Sequence, residues 1–244
     1  MLITGGSRGI GAATALMASR RGYAVAINYA RQAEAAQALV RQIEAEGGRA
    51  MAVQADVGDE AQVLDMYAQV DAKLGRLTAL VNNAGIVDVK ARLDEMSVAR
   101  LERMMRINVV GAFVCAREAV RRMSTRHGGT GGVIVNISSA AARLGSPDQY
   151  VDYAASKGAI DTLTTGLAKE VAEEGIRVNG VRPGLIDTEI HASGGMPDRA
   201  FQLAHTVPMK RTGTAQEIAN AIVWLLSPEA SYVTGTSIDV TGGR

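Results

Sequence analysis

Short apolar runs alternate along the chain with longer stretches whose apolar positions recur every three or four residues, and glycine, proline and asparagine punctuate the joins. Residues 1–4 read as a strand entering a glycine loop, 12–21 as a helix stopped by Gly22, and 24–29 as a second strand. A long helix rich in Ala and Glu is predicted over 32–46, ended by Gly47 and Gly48. A strand at Ala50–Gln54, an amphipathic helix over 60–73 and a strand over 77–81 follow. Helical periodicity covers 101–122, and a glycine-rich turn at 128–132 leads to a fifth strand over 133–137. That strand is almost continuously apolar, as suits one covered on both faces. The longest helical stretch spans 152–174, and a strand over 177–181 ends near Pro183 and Gly184. A helix at Ala215–Leu226 and a strand at Ser237–Val240 complete the pattern.

Strands and helices alternating at these lengths predict an α/β protein. The fold class is a Rossmann-type, doubly wound parallel sheet in three layers, α/β/α, with right-handed crossovers. No linker, internal repeat or low-complexity tract divides residues 1–244, so a single domain is expected. Residues 187–214 break the rhythm, with glycines, two prolines and two of the three histidines. They follow the sixth strand, and ligands in such sheets bind at the carboxyl ends of strands, so a substrate lid is expected there. A plain surface loop is the alternative. His191, His205, Met196 and Met209 within it either face substrate or serve as solvent-side and packing groups.

Composition changes little. Of the 244 residues 47% are hydrophobic and 21% charged, and the net charge of +1 gives no reason to expect nucleic acid or an acidic membrane as partner. There is no run of about 20 apolar residues to span a bilayer and no basic leader before an apolar segment, so a cytoplasmic protein is expected. Cys115 reads as a buried structural thiol. His127, His191 and His205 lie far apart without partners at ligand spacing, so no metal site is expected.

The candidate chemistry begins in the loop Thr4-Gly5-Gly6-Ser7-Arg8-Gly9-Ile10-Gly11. Gly5, Gly9 and Gly11 would let the backbone turn tightly and bring a pyrophosphate onto the N–H groups of a helix start. The spacing differs from the common G-x-G-x-x-G fingerprint. The second strand ends Asn28-Tyr29-Ala30-Arg31, without the carboxylate that reads a ribose 2′-hydroxyl. Arg8 and Arg31 could both face a 2′-phosphate, so NADP(H) is preferred, with NAD(H) possible. Asp56, past the third strand, fits a bond to the adenine amino group, or else caps a helix. Asn82-Asn83-Ala84-Gly85 would let the backbone lie close to the dinucleotide, or form a simple turn.

Tyr153 and Lys157 stand four residues apart at the start of the long helix, on one face. A lysine cation beside a phenol favours its ionised form and would bring a pKa of about 10 down toward the range of a useful acid/base. Ser139, at the end of the fifth strand, could hold the same substrate oxygen. Each feature alone is common. Their order is not: glycine loop, Asn-rich fourth strand end, serine, Tyr-Lys, Pro-Gly.

That order resembles the classical short-chain dehydrogenase/reductase family over essentially the whole chain. The resemblance implies an NAD(P)-binding Rossmann domain, Gly5, Ser7, Gly9, Ile10 and Gly11 around the pyrophosphate, and Tyr29 and Arg31 beside the adenosine ribose. Asp56 and Val57 would border adenine, with Asn83, Ala84 and Gly85 along the cofactor. Asn108, Ser139, Tyr153 and Lys157 would be catalytic, Tyr153 as acid/base and Lys157 also on the nicotinamide ribose. Pro183, Gly184, Ile186 and Thr188 would lie beside the nicotinamide. A homotetramer, or a homodimer, is implied as well. The chain is similar to 3-oxoacyl-acyl-carrier-protein reductases and glucose dehydrogenases. It departs from the former by one extra residue between Ser139 and Tyr153, where Ser146-Pro147-Asp148-Gln149-Tyr150 stands.

The expected activity is hydride transfer between a nicotinamide cofactor and a small ketone or secondary alcohol. A sugar or other alcohol dehydrogenase and a 3-oxoacyl-thioester reductase are alternatives within the family. A dinucleotide-binding regulator without catalysis is the alternative outside it. A methyl-donor transferase would leave Tyr153, Lys157 and the Pro-Gly segment without purpose.

Overall fold

In the computed structural model, which describes residues 1–189, 194–196 and 198–244, seven strands form one parallel sheet in the order β3-β2-β1-β4-β5-β6-β7. They are β1 (Leu2–Ile3), β2 (Val25–Tyr29), β3 (Ala50–Gln54), β4 (Ala79–Asn82), β5 (Gly132–Ile137), β6 (Ile176–Pro183) and β7 (Ser237–Val240). The order reverses between β1 and β4, and a crevice opens at such a switch point.

Alternation along each strand sorts side chains onto two faces. Ile3, Ile27, Val81, Val135 and Val181 join one core, against α1 (Gly9–Arg20), α2 (Ala33–Ala45) and the late helix Ala215–Leu226. Leu2, Ala26, Leu80, Ile134 and Val178 join the other, against α3 (Glu60–Leu74), α5 (Gly111–Met123) and α7 (Val151–Val171). Both faces are therefore covered, which is why the strands read as unbroken apolar runs. Cys115 lies fully buried in the second core, where burial pushes its thiol up to about 12.

Three differences from the predicted elements bear on the site. Helix α1 starts at Gly9 and not at residue 12, because its first turn is made of the loop glycines. The helix predicted over 101–122 is two helices, α4 (Val98–Met105) and α5, joined by a π-helical stretch at Arg106–Val110. Periodicity hides such a join, since the backbone stays helical through it. Residues 187–214 hold a short helix, α8 (Arg199–Gln202), and a 3-10 turn at Ala204–Thr206, with Ile186 bridging to Gly213 at the base. His191 lies outside the described residues, and no described helix is long and apolar enough to cross a membrane.

Candidate active site

The glycine loop after β1 is held by a closed set of hydrogen bonds. Asn83 donates its side-chain amide to the carbonyls of Thr4 and Gly5 at 2.9 Å each. The Thr4 hydroxyl accepts from the backbone N–H groups of Asn83 (2.9 Å) and Ala84 (3.0 Å). Asn28, buried at the end of β2, accepts from the Gly5 N–H at 3.1 Å and donates to the Ala55 carbonyl at 3.0 Å. One asparagine thus ties the loop to β3 and another ties it to β4.

The glycines are required by the packing. Gly5 sits at φ +58°, and a Cβ there would lie 2.9 Å from the Ala84 Cα; at Gly11 it would lie 2.6 Å from the Gly5 carbonyl oxygen. At Gly9 it would meet the Thr188 side chain at 3.3 Å, so the segment after β6 closes over the loop. Arg8 precedes α1 and its side chain does not cap it, so an anion could accept from the first-turn N–H groups, near which the Glu189 carboxylate also lies. A backbone cradle at a helix start is what a dinucleotide pyrophosphate needs, so the residues present fit that group.

The neighbouring predicted positions divide. Tyr29 is half-buried, while Arg8 and Arg31 are exposed at the ends of the loop and of β2. Asp56 uses one carboxylate oxygen to accept from the Gly58 N–H at 2.9 Å, and the cap of α3 is Asp59 instead. Val57 follows Asp56 past β3, and its side chain is buried in the second core.

Asn108 lies in the π-helical stretch and is buried. Its carbonyl oxygen accepts from the Ile86 N–H at 2.8 Å, and its amide donates to the Ile86 carbonyl at 2.9 Å and toward the Ser156 hydroxyl at 3.2 Å. A Cβ on Gly85 would stand 3.4 Å from the Asn108 oxygen and 3.5 Å from the Lys157 Nζ, so both groups border the same small space.

Helix α7 presents Tyr153 and Lys157 from its first turns. The ion pair of Arg100 with Asp152, nearly solvent-free on both sides, anchors that end at 2.8 Å, and Arg100 also donates to the Val89 carbonyl at 2.7 Å. Lys157 is buried, donates to the Ile137 carbonyl at 2.8 Å, and lies 5.6 Å from the centroid of the Tyr153 ring. Burial holds its ammonium down to about 8, with Asp161 opposing.

The Tyr153 pKa is raised and not lowered as predicted. Burial raises it, while hydrogen bonding from Ser139 and the charge of Arg199 pull the other way. Lys157 points to the Ile137 carbonyl, and desolvation outweighs what cationic help the phenol receives.

One cleft collects these groups. Asn83, Gly85, Ser139, Tyr153, Lys157 and the stretch from Pro183 to Ile186 line it, together with Ile10 and Thr188. His205 and Met209 do not; both are exposed, and the His205 ring pairs with the Gln202 carbonyl at 2.9 Å. Sequence reasoning missed Thr4, Asn28, Arg199 and Arg244, the last two of which line the cleft. A single Thr, Asn or Arg carries no signature of its own. The extra residue between Ser139 and Tyr153 falls in the stretch that holds Gln149, the side chain that accepts from Arg199.

The family model described as enoyl-(acyl carrier protein) reductase matches residues 5–244. The chain is a short-chain dehydrogenase/reductase. It is 56% identical to the uncharacterized oxidoreductase YgfF of Escherichia coli strain K12, over 100% of this chain and 98% of that protein. It is 37% identical to the 3-oxoacyl-[acyl-carrier-protein] reductase FabG of Staphylococcus aureus, over 99% and 96% of the two chains. A short-chain dehydrogenase from Burkholderia cenocepacia, solved in complex with NADP, superposes with a TM-score of 0.90 at 36% identity, covering 99% of this chain and 96% of the other. The general activity of the family, NAD(P)(H)-dependent oxidoreduction at a carbonyl or alcohol, belongs to this chain with it.

Proposed function

We propose that this short-chain dehydrogenase/reductase is an NADP(H)-dependent reductase of a small ketone, with Tyr153 as the proton donor. The observation that carries this reading is the meeting of Tyr153, Ser139 and Lys157 with the segment from Pro183 to Thr188 in one cleft, beside the glycine cradle. Bound nicotinamide supplies the hydride. Tyr153, protonated at neutral pH like an ordinary phenol and with its pKa raised further by its surroundings, gives its phenolic proton to the substrate oxygen as negative charge grows on it. Ser139 bonds the same oxygen and holds it near the phenol. Lys157 returns a proton toward Tyr153, and Asn108, which borders the same space beside Gly85, would hold a water that passes a proton on from solvent. In the oxidative direction the same groups act in reverse.

Gly5, Ser7, Gly9, Ile10 and Gly11 would hold the pyrophosphate, and Ile186 and Thr188 the nicotinamide carboxamide. The absence of a carboxylate at the end of β2, with Arg31 exposed just past it and Arg8 exposed before α1, supports NADP(H) over NAD(H). The NADP-bound Burkholderia structure supports the same choice. Exposed Val110 and Phe113 around the start of α5, with Trp224 on the late helix, support a homotetramer or homodimer. A 3-oxoacyl-thioester reductase is the second reading, favoured by the Staphylococcus relative.

Titration with NADPH and with NADH, followed by nicotinamide fluorescence, tests the cofactor assignment. The expected result is tighter NADPH binding, with the preference reduced about tenfold in Arg31→Ala, equivalent to roughly 1.4 kcal/mol. A preference for NADH would overturn it, and NADPH binding without reduction of any ketone would overturn the reductase reading.

A further inference from the structure

We propose that the substrate carries an anionic group, a carboxylate or a phosphate, and that Arg199 together with Arg244 binds it. This rests on the reading of the cleft as the site of carbonyl reduction.

The charged side chains lining the cleft are all of one sign. Lys157, Arg199 and Arg244 contribute to it, and no Asp or Glu does among the described residues. Arginines elsewhere nearby are paired: Arg100 with Asp152 at 2.8 Å, Arg182 with Asp161 at 2.9 Å. Arg199 is not matched in this way. Its Nη2 donates to the neutral Gln149 side chain at 2.9 Å, its guanidinium stacks 5.3 Å from the centroid of Tyr150, and its buried Nε has no hydrogen-bond partner. Burial lowers its pKa, and the like charge of Arg244 lowers it further. Two guanidiniums lining one cleft, with a buried donor of Arg199 unmet, form a receptor for an anion. The guanidinium fork suits a carboxylate or a phosphate.

The side of the cleft matters, because the dinucleotide also brings phosphates. Gln149, Tyr150, Tyr153 and Arg244 are the side chains that interact with Arg199, and none of them belongs to the glycine loop. The cradle instead is bounded by Asn83, Ala84 and Thr188. The two sets share no residue, so the anion assigned to Arg199 is not the pyrophosphate assigned to the cradle.

The longer spacer is what aims Arg199. Ser146 and Asp148 adopt left-handed backbone at φ +45° and +57°, a conformation that costs a non-glycine residue energy. The loop is pinned there by Arg92 against Asp148 at 3.3 Å and by the Ala91 N–H to the Gln149 carbonyl at 3.1 Å. Gln149 and Tyr150 are thereby set as two supports for one cation.

The test compares acid with neutral isostere: acetoacetate against methyl acetoacetate, and dihydroxyacetone phosphate against dihydroxyacetone, each reduced with NADPH. At least one anion is expected to exceed its neutral partner in kcat/KM by about tenfold or more, and the pair that does so identifies carboxylate or phosphate. Arg199→Gln should bring that ratio near one and Arg199→Lys should restore part of it, with NADPH affinity within about threefold of wild type as the check on folding. Neutral partners used as well as the anions, or a preference that survives Arg199→Gln, would overturn the proposal while leaving the reductase reading intact. If no ketone turns over, the reductase reading fails, and calorimetric titration of each anion into the NADP⁺ complex decides the rest. Binding lost in Arg199→Gln supports the anion site, and no binding overturns it.

Discussion

The two walls of the cleft are built from different materials. On one side, the loop from Thr4 to Gly11 and the end of β4 are closed by backbone and by Thr4, Asn28 and Asn83, with glycines where any side chain would collide. On the other, Ser139, Tyr150, Tyr153, Lys157 and Arg199 present side chains, and burial displaces the ionisation of three of them. The first wall can hold a ligand common to a whole family because its shape is set by main chain. The second can be retuned by single substitutions, and the loop beside it holds two non-glycine residues, Ser146 and Asp148, in left-handed backbone.

Tyr153→Phe probes where the walls meet, and the largest effect is expected there. Removing the phenolic proton should lower kcat for ketone reduction by about 10²- to 10⁴-fold, the range of a positioned general acid. NADPH affinity should stay within about threefold, because the cradle is made by the other wall. A loss of NADPH binding equal to the loss of rate would mean the walls are not separable.

Gly5→Ala strikes the backbone wall alone. The new Cβ meets the Ala84 Cα at 2.9 Å on a residue held at φ +58°. NADPH affinity should fall by about tenfold or more, and stability by roughly 1–3 kcal/mol. Gly166→Ala is the matched control: it lies exposed within α7 with nothing within 4 Å of its would-be Cβ, and should raise stability by about 0.5–1 kcal/mol. Chemical denaturation of the two variants checks both signs. Equal behaviour would show that the loop yields and that its glycines are not required by shape.

The same division governs what was legible in the sequence. Strands β3 and β7 and the helix Ala215–Leu226 match their predicted bounds, because period and punctuation are local signals. The cradle was legible too, since only glycine fits it. What stayed hidden depends on contacts distant in the chain. Asn28 looks like a polar residue ending a strand until it is found bridging Gly5 and Ala55. Arg199 is one of many arginines until Gln149, fifty positions away, is found beneath it. The raised Tyr153 pKa could not be read from i, i+4 spacing, because spacing places Lys157 nearby but does not say where its ammonium points.

The smallest expected effect concerns the titration of Lys157. Its folded value of about 8 lies below the ordinary 10.5, so the unfolded chain binds this proton more strongly. The protein therefore carries the full cost of the buried charge below pH 8, and recovers stability as pH rises from about 8 toward 10.5. In Lys157→Met that recovery is absent. Between pH 7 and 9.5 the cofactor-free wild type should gain roughly 1–2 kcal/mol on the variant by denaturant titration. The contrast sharpens the division between the walls, since Gly5→Ala changes no titratable group and its stability difference from wild type should stay flat over the same window. Parallel curves for wild type and Lys157→Met would show that the ammonium is solvated enough to keep its ordinary value. Tyr153 would then have a strong cation beside it at every working pH, and the substrate-side wall would be less dry than its hydrogen bonds imply.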